Sequence, residues 1–185
     1  MTDTNYSTSI GKTPFNTNYN KSEYVGYMYT AGQQHGTTTD STIKAYLDIW
    51  YTFTNLSTYY TNNTSTDLLA DQIYCNDRNT SSTWVSTGSS FNYAPYERFN
   101  SGAPSLKCTT KTDRFTVNDT TNGNGVLTNP VGLITLDEIL YAGANNQWNS
   151  NTSYYLYNNS WYWSGSPHGF NGDNAYEFIV DVDGD

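Results

Sequence analysis

The chain has 185 residues and a net charge of −9, yet only 14% of its residues are charged, against about a quarter in an average globular protein. Eight basic residues in all, with the acid excess, argue against nucleic acid and against anionic membranes as partners. An aromatic content of 16% argues against disorder, so the polarity carried by Asn, Thr and Ser belongs to one folded, β-rich domain over 21–185, behind a polar leading segment at 1–20. No apolar run approaches the roughly 20 residues needed to span a bilayer, which predicts no membrane insertion of this segment.

In chain order, 1–20 is polar, with Gly11 and Pro14, and is expected to be loosely held. It carries no apolar signal core, so export would depend on a leader or anchor outside these residues. Tyr24 to Tyr29 is a β-type run in which Gly26 marks a bulge or a close backbone approach. Asp40-Ser41 offers a helix cap, and Ile43, Tyr46, Leu47, Trp50 and Tyr51 follow at helical spacing. That predicts a helix over about 41–53 with its aromatic stripe in the core. Asp67 to Ile73 reads as a short helix leading into Cys75. Residues 79–103, rich in Ser, Gly and Asn, read as irregular, and a long loop of that kind is usually functional or mobile. Arg114 to Val117 reads as a short strand and 118–129 as a Gly/Asn turn region.

The stretch from Asn129 to Tyr176 carries the strongest local signals. Val131 to Ile134 reads as a short apolar strand. Thr135 with Glu138 three residues on is a capping box, and Asp137 and Glu138 suit the positive end of a helix over 136–142, with Gly143 as its stop. The aromatic runs Tyr154–Tyr157 and Trp161–Trp163, split by Asn158-Asn159-Ser160, predict a β-hairpin. A loop over Ser164 to Asn174 then leads to a last strand, Ala175 to Val182.

A Thr-x-x-Glu helix, a Tyr-Trp-Ser-x-Ser strand (162–166), a loop and an Asn-Ala-Tyr strand (174–176) resemble, in that order, the C-type-lectin-like fold. The similarity is to the formylglycine-generating-enzyme branch, to diversity-generating-retroelement variable proteins, and most to a family of secreted Bacillota domains. With that last family it extends through YVGYMY (24–29), CNDR (75–78), PSLKC (104–108) and DRFTV (113–117). The resemblance implies an α+β domain with short antiparallel sheets, two main helices and long Asn/Ser/Gly-rich loops, at the surface of a bacterium or phage. It also implies a further strand after the Asn-Ala-Tyr one, which would be missing or supplied otherwise. Cys75 and Cys108 both fall in segments matching the secreted family. Paired, they would close a loop of about 34 residues, worth roughly 3–4 kcal/mol; unpaired, they would be buried free thiols.

Catalytic groups do not carry over from the resemblance, because formylglycine-generating enzymes use cysteines late in the domain and these two lie early. His168 has Ser164, Ser166 and Asp173 close in sequence, but triad members are usually distant along the chain. Carboxylate pairs for glycoside hydrolysis could be drawn from Asp137, Glu138, Asp173 and Glu177. Asp181 to Asp185 places oxygens at alternate positions, faintly like a calcium loop, yet reads better as a turn. No cofactor is expected. The calcium motifs of true C-type lectins, Glu-Pro-Asn and Trp-Asn-Asp, are absent.

Recognition remains. Eighteen tyrosines among abundant Ser, Gly and Asn resemble the composition of antibody paratopes. By position relative to the retroelement-diversified proteins, Trp148, Tyr155, Trp161, His168, Phe170, Asn171, Asp173 and Tyr176 are the candidate contact residues. The expected partner is a glycan or a protein, on another cell or within the same surface appendage. Trp163 and Tyr176 are also the first candidates for the core.

Overall fold

A computed structural model describes residues 10–53, 70–145 and 150–184. Helix α1, Thr42–Phe53, forms where its spacing predicts, with Ser41 as cap: the Ser41 hydroxyl donates to the Tyr27 carbonyl (2.6 Å) and accepts from the Lys44 N–H (3.3 Å). Ile43, Leu47 and Tyr51 repeat every four residues and are buried against Phe15, Tyr27, Met28, Phe115, Leu127 and Val131. Lys44 is buried as well, held by Asp48 at 2.5 Å and Asp40 at 3.5 Å.

Among the described residues the strands pair antiparallel in three small sheets. β1 (Met28–Tyr29) pairs with β2 (Thr39–Asp40), and β3 (Tyr74–Cys75) with β5 (Arg114–Phe115). β4 (Ser90–Asn92), β6 (Tyr162–Asn171) and β7 (Ala175–Val180) form the third sheet in the order β4-β6-β7. The architecture is therefore α+β with short antiparallel sheets. No helix among the described residues is long and apolar enough to cross a membrane.

Helix α2, Ala94–Ser101, lies within the stretch expected to be irregular. Pro95 sits in its first turn, where no N–H is required, and Gly102 ends it in the left-handed region (φ 63°). Its Phe99 packs with Leu136 and Phe178. Helix α3, Leu136–Tyr141, opens on the expected capping box: the Glu138 N–H donates to Thr135 Oγ1 (3.2 Å) and the Thr135 N–H to Glu138 Oε2 (2.8 Å).

Several expectations need correction. Among the described residues Val131–Ile134 pairs with no strand; the Gly165 N–H donates to the Ile134 carbonyl (2.7 Å), a backbone bond to β6. The aromatic hairpin does not form. Tyr154–Tyr157 is a turn, and the strand that starts at Tyr162 pairs with β7 instead. β6 continues to Asn171 through the stretch expected as loop, because small residues let its backbone pass close to neighbours: a Cβ at Gly165 would stand 3.0 Å from the Leu133 carbonyl oxygen and one at Gly169 3.0 Å from that of Phe91. Register shifts flank Pro167, which has no N–H to give a central strand. Only Met28 and Tyr29 of the 24–29 run are in a strand, but Gly26 does mark a close approach: a Cβ there would lie 2.9 Å from Asn76 Oδ1. The helix expected at 67–73 falls partly outside the described residues, and 70–73 is not helical.

The leading segment is not loose over 10–20. Phe15 is buried and its carbonyl accepts from Ile43, Thr13 accepts from the Trp163 indole N–H (3.0 Å), and Tyr19 accepts from Ala175 (2.7 Å). These bonds tie the segment to α1, to β6 and to the start of β7. Cys75 and Cys108 are joined in a disulfide.

Candidate functional site

The structure distributes the predicted contact residues between the two ends of the β6–β7 hairpin. At the turn, Asn171 Oδ1 accepts from the Asp173 N–H (3.1 Å) and the Asn174 N–H (2.8 Å), while its Nδ2 donates to the Tyr176 hydroxyl (2.9 Å). His168 stands beside this turn, its ring packed on Tyr96 (4.7 Å), Phe178 (4.8 Å) and Tyr176 (6.2 Å). Burial in this aromatic cluster lowers the His168 pKa, and its Nδ1 has no hydrogen bond. The hydroxyls of Ser164 and Ser166 accept the N–H groups of Ser166 and Leu136 rather than engaging His168. Phe170 is a correction: at 2% exposure it packs against Phe91 in the core and cannot touch a ligand.

Tyr155 (78% exposed) and Trp161 (61% exposed) lie at the other end, about 17 Å away along β7 from Ala175 to Val180 at the usual rise per residue. Trp148 lies outside the described residues. Asp181–Gly184 is a turn, with the Asp183 N–H on Asp181 Oδ1 (2.7 Å), and among the described residues no three His, Cys, Asp or Glu cluster to hold a metal.

Two hollows remain. The larger, about 570 Å³, lies beside the disulfide and α3. Arg98 crosses it, giving two hydrogen bonds to Asp137 (both 2.7 Å) and one to Asp77 (2.8 Å), while Asp137 also accepts from the Ser105 N–H (2.8 Å). Burial would lower the Arg98 pKa, but these two carboxylates outweigh it and hold the guanidinium above its ordinary value. None of the residues lining this hollow has a buried polar atom without a partner. It is a closed network that ties α2, α3 and the segment after β3 together.

The smaller hollow, about 140 Å³, lies between the leading segment and β7, and it differs in kind. Phe15, Tyr19, Tyr24 and Trp163 supply rings, and Asn16 and Glu177 supply polar groups. Phe15 meets Trp163 edge-on at 5.7 Å, and Tyr24 meets Tyr29 edge-on at 4.9 Å, which fixes these rings. Both Glu177 oxygens and Asn16 Nδ2 are buried and have no hydrogen-bond partner. Whatever exposure Glu177 retains is not at its oxygens. Desolvation pushes its carboxyl well above the ordinary value of 4.5; Arg78 and the Gly26 N–H act the other way without forming a hydrogen bond of normal geometry.

A buried group without partners costs roughly 1–3 kcal/mol. Folding takes up a proton at Glu177, so this carboxyl destabilises the fold progressively as pH rises from about 4.5 towards its raised native value. Glu177→Gln is therefore expected to match wild type at pH 4 and to be about 1–3 kcal/mol more stable at pH 7.5, by thermal and urea unfolding. A less stable Gln variant at pH 7.5 would show that the charged form has compensation after all.

The cleft residues were not among the sequence candidates. Trp163 is a core candidate in the sequence and Glu177 one of four candidate carboxylates, while the leading segment that covers them is expected there to be loosely held. No protein-family model matches the chain, and neither a curated protein nor a solved structure does.

Proposed function

We propose that this chain is an extracellular recognition module of C-type-lectin-like α+β type rather than an enzyme, carried on a bacterial or phage surface, with the cleft between the leading segment and β7 as its binding site. The observation that carries the reading is the pairing of rigid rings with two lining residues, Asn16 and Glu177, whose buried polar atoms have no hydrogen-bond partner. Elsewhere the large hollow is closed on itself, and the exposed Tyr155 and Trp161 stand apart as a second aromatic surface. Ring faces that stack and a few convergent polar groups are what a small-ligand or glycan site requires. The disulfide favours an oxidising compartment.

The test is binding of the oxidised protein to a glycan array, with Tyr19→Ala and Trp161→Ala as exposed-residue variants that leave the core intact. A hit lost in Tyr19→Ala and kept in Trp161→Ala is the expected result. A hit lost only in Trp161→Ala would move the site to the other end of the hairpin. A blank array would overturn the reading in favour of a subunit of a surface appendage, for which β7, an edge of the β4-β6-β7 sheet, is the strand that a partner chain would extend.

A further inference from the structure

We propose that the cleft takes an organic ammonium group with an oxygen acceptor two or three bonds away, the chemistry of a 2-amino alcohol, seated against Glu177 with its oxygen on Asn16. The inference rests on the recognition reading and names the ligand chemistry of that same site. Size is the first argument. About 140 Å³ is several times the volume of a water and well below the roughly 300–1,000 Å³ of pockets that enclose whole ligands, so the cleft fits a head group.

Charge is the second argument. Among the described residues no lysine or arginine lines the cleft and Glu177 is its one carboxyl, and the chain carries a net charge of −9, which draws cations and repels anions. The third is the wall. Trp163 spends its indole N–H on the Thr13 carbonyl, so what it offers to the cleft is ring surface. Tyr24, Tyr19 and Phe15 add further rings, and ring faces attract an ammonium through their quadrupoles.

The polar groups then select the ligand's pattern. No hydrogen bond of normal geometry satisfies the Glu177 oxygens, although the Gly26 N–H and Arg78 act on them, and an ammonium would supply three donors. Asn16 uses its Oδ1 to accept from the Asn18 N–H (3.2 Å), leaving Nδ2 as a donor in want of an acceptor. A lone alkylammonium satisfies the first need and a neutral sugar part of each; a 2-amino alcohol satisfies both. Burial raises the Glu177 pKa, Arg78 on another element lowers it, and the Glu177 charge in turn raises the pKa of the Tyr93 hydroxyl. An ammonium at the site offsets the same cost and releases the proton.

The experiment is an NMR titration of the full chain, read at the Trp163 indole N–H, with glucosamine and ethanolamine as the amine probes and glucose and ethylene glycol as their neutral counterparts. The expected result is saturable millimolar binding of the amines, at least tenfold weaker binding of the neutral probes, and at least tenfold loss in Glu177→Gln, which is expected to fold at least as well as wild type. Trp161→Ala should bind unchanged. Glucosamine binding without ethanolamine would assign the group to an amino sugar, and the reverse to an ethanolamine-type head group. Equal binding of amine and neutral probes, binding that survives Glu177→Gln, or no response of Trp163 to any amine would overturn the proposal. If an array hit lost in Tyr19→Ala is nonetheless a neutral glycan, the ammonium inference fails while the recognition reading stands. Amine binding at Trp163 with a blank array would instead sink glycan recognition and leave the cleft chemistry intact.

Discussion

Asp113→Ala is expected to destabilise the protein by about 3–5 kcal/mol, the cost of removing one partner from a buried ion pair and stranding the other. Arg78 and Asp113 both have no exposure to solvent. Asp113 Oδ1 accepts from Arg78 Nε (3.1 Å) and Nη2 (3.0 Å), and Oδ2 accepts from the Arg78 backbone N–H (2.9 Å) and lies 2.9 Å from His35 Nδ1. Arg78 Nη1 goes on to the Met28 carbonyl (2.6 Å), and the guanidinium sits 5.9 Å from the centre of the Phe115 ring. One arginine thus ties β1 to the β3–β5 pair, across sheets that share no ladder. The two-residue ladders alone are too short to hold one another. Urea unfolding measures the loss. The double variant Arg78→Met/Asp113→Leu is expected to lose less than Asp113→Ala, because apolar replacement removes both charges together. An Asp113→Ala protein within 1 kcal/mol of wild type would mean that water reaches the stranded guanidinium and that the pair is not buried in solution.

The legibility of this fold in its sequence divides along physical lines. α1 and α3 were readable because their signals are local: a four-residue apolar repeat ending on Tyr51, and a Thr135–Glu138 box whose two hydrogen bonds need no other part of the chain. α2 was not, since Pro95, Phe99 and Gly102 are scattered among Ser and Asn, and its helix is stabilised by packing on Leu136 and Phe178 from distant segments. The Ser164–Asn171 stretch failed for the opposite reason. Gly and Ser, which read locally as loop, are there because the backbones of Leu133 and Phe91 come so close.

The candidate site shows the same division. Period-two alternation places Glu177 with Ile179 on the side of β7 away from Phe178 and Val180, which sequence reading assigns to solvent. What covers that side is 13–24, anchored by backbone bonds from Ile43 and Ala175 and the indole N–H of Trp163, contacts made over separations that no short window contains. The Asn171–Asn174 turn reads in the sequence only as the end of a longer loop, and Phe170 is misassigned with it, because nothing local shows that β6 runs through this stretch and turns the ring onto Phe91.

The Cys75–Cys108 disulfide is expected to stabilise the protein by about 3–4 kcal/mol, from closing a loop with a sequence separation of 33 in the unfolded chain. Cys75→Ser/Cys108→Ser should therefore show a lower urea midpoint by that equivalent. The bridge and the Arg78–Asp113 pair are neighbours: the Asn76 N–H donates to the Asp113 carbonyl (3.0 Å), and Cys108 Sγ lies 3.5 Å from that same oxygen. Contact of this kind often makes mutational effects non-additive. Here the losses are expected to add within about 0.5 kcal/mol when the two serines are combined with Asp113→Ala. The bridge acts mainly on the unfolded chain, and its native contacts are to the Asp113 carbonyl, which alanine retains, not to the carboxylate that Arg78 holds. An interaction energy above about 1 kcal/mol would mean that the disulfide positions Asp113 in the native state, and that the buried arginine depends on an oxidising environment for its geometry.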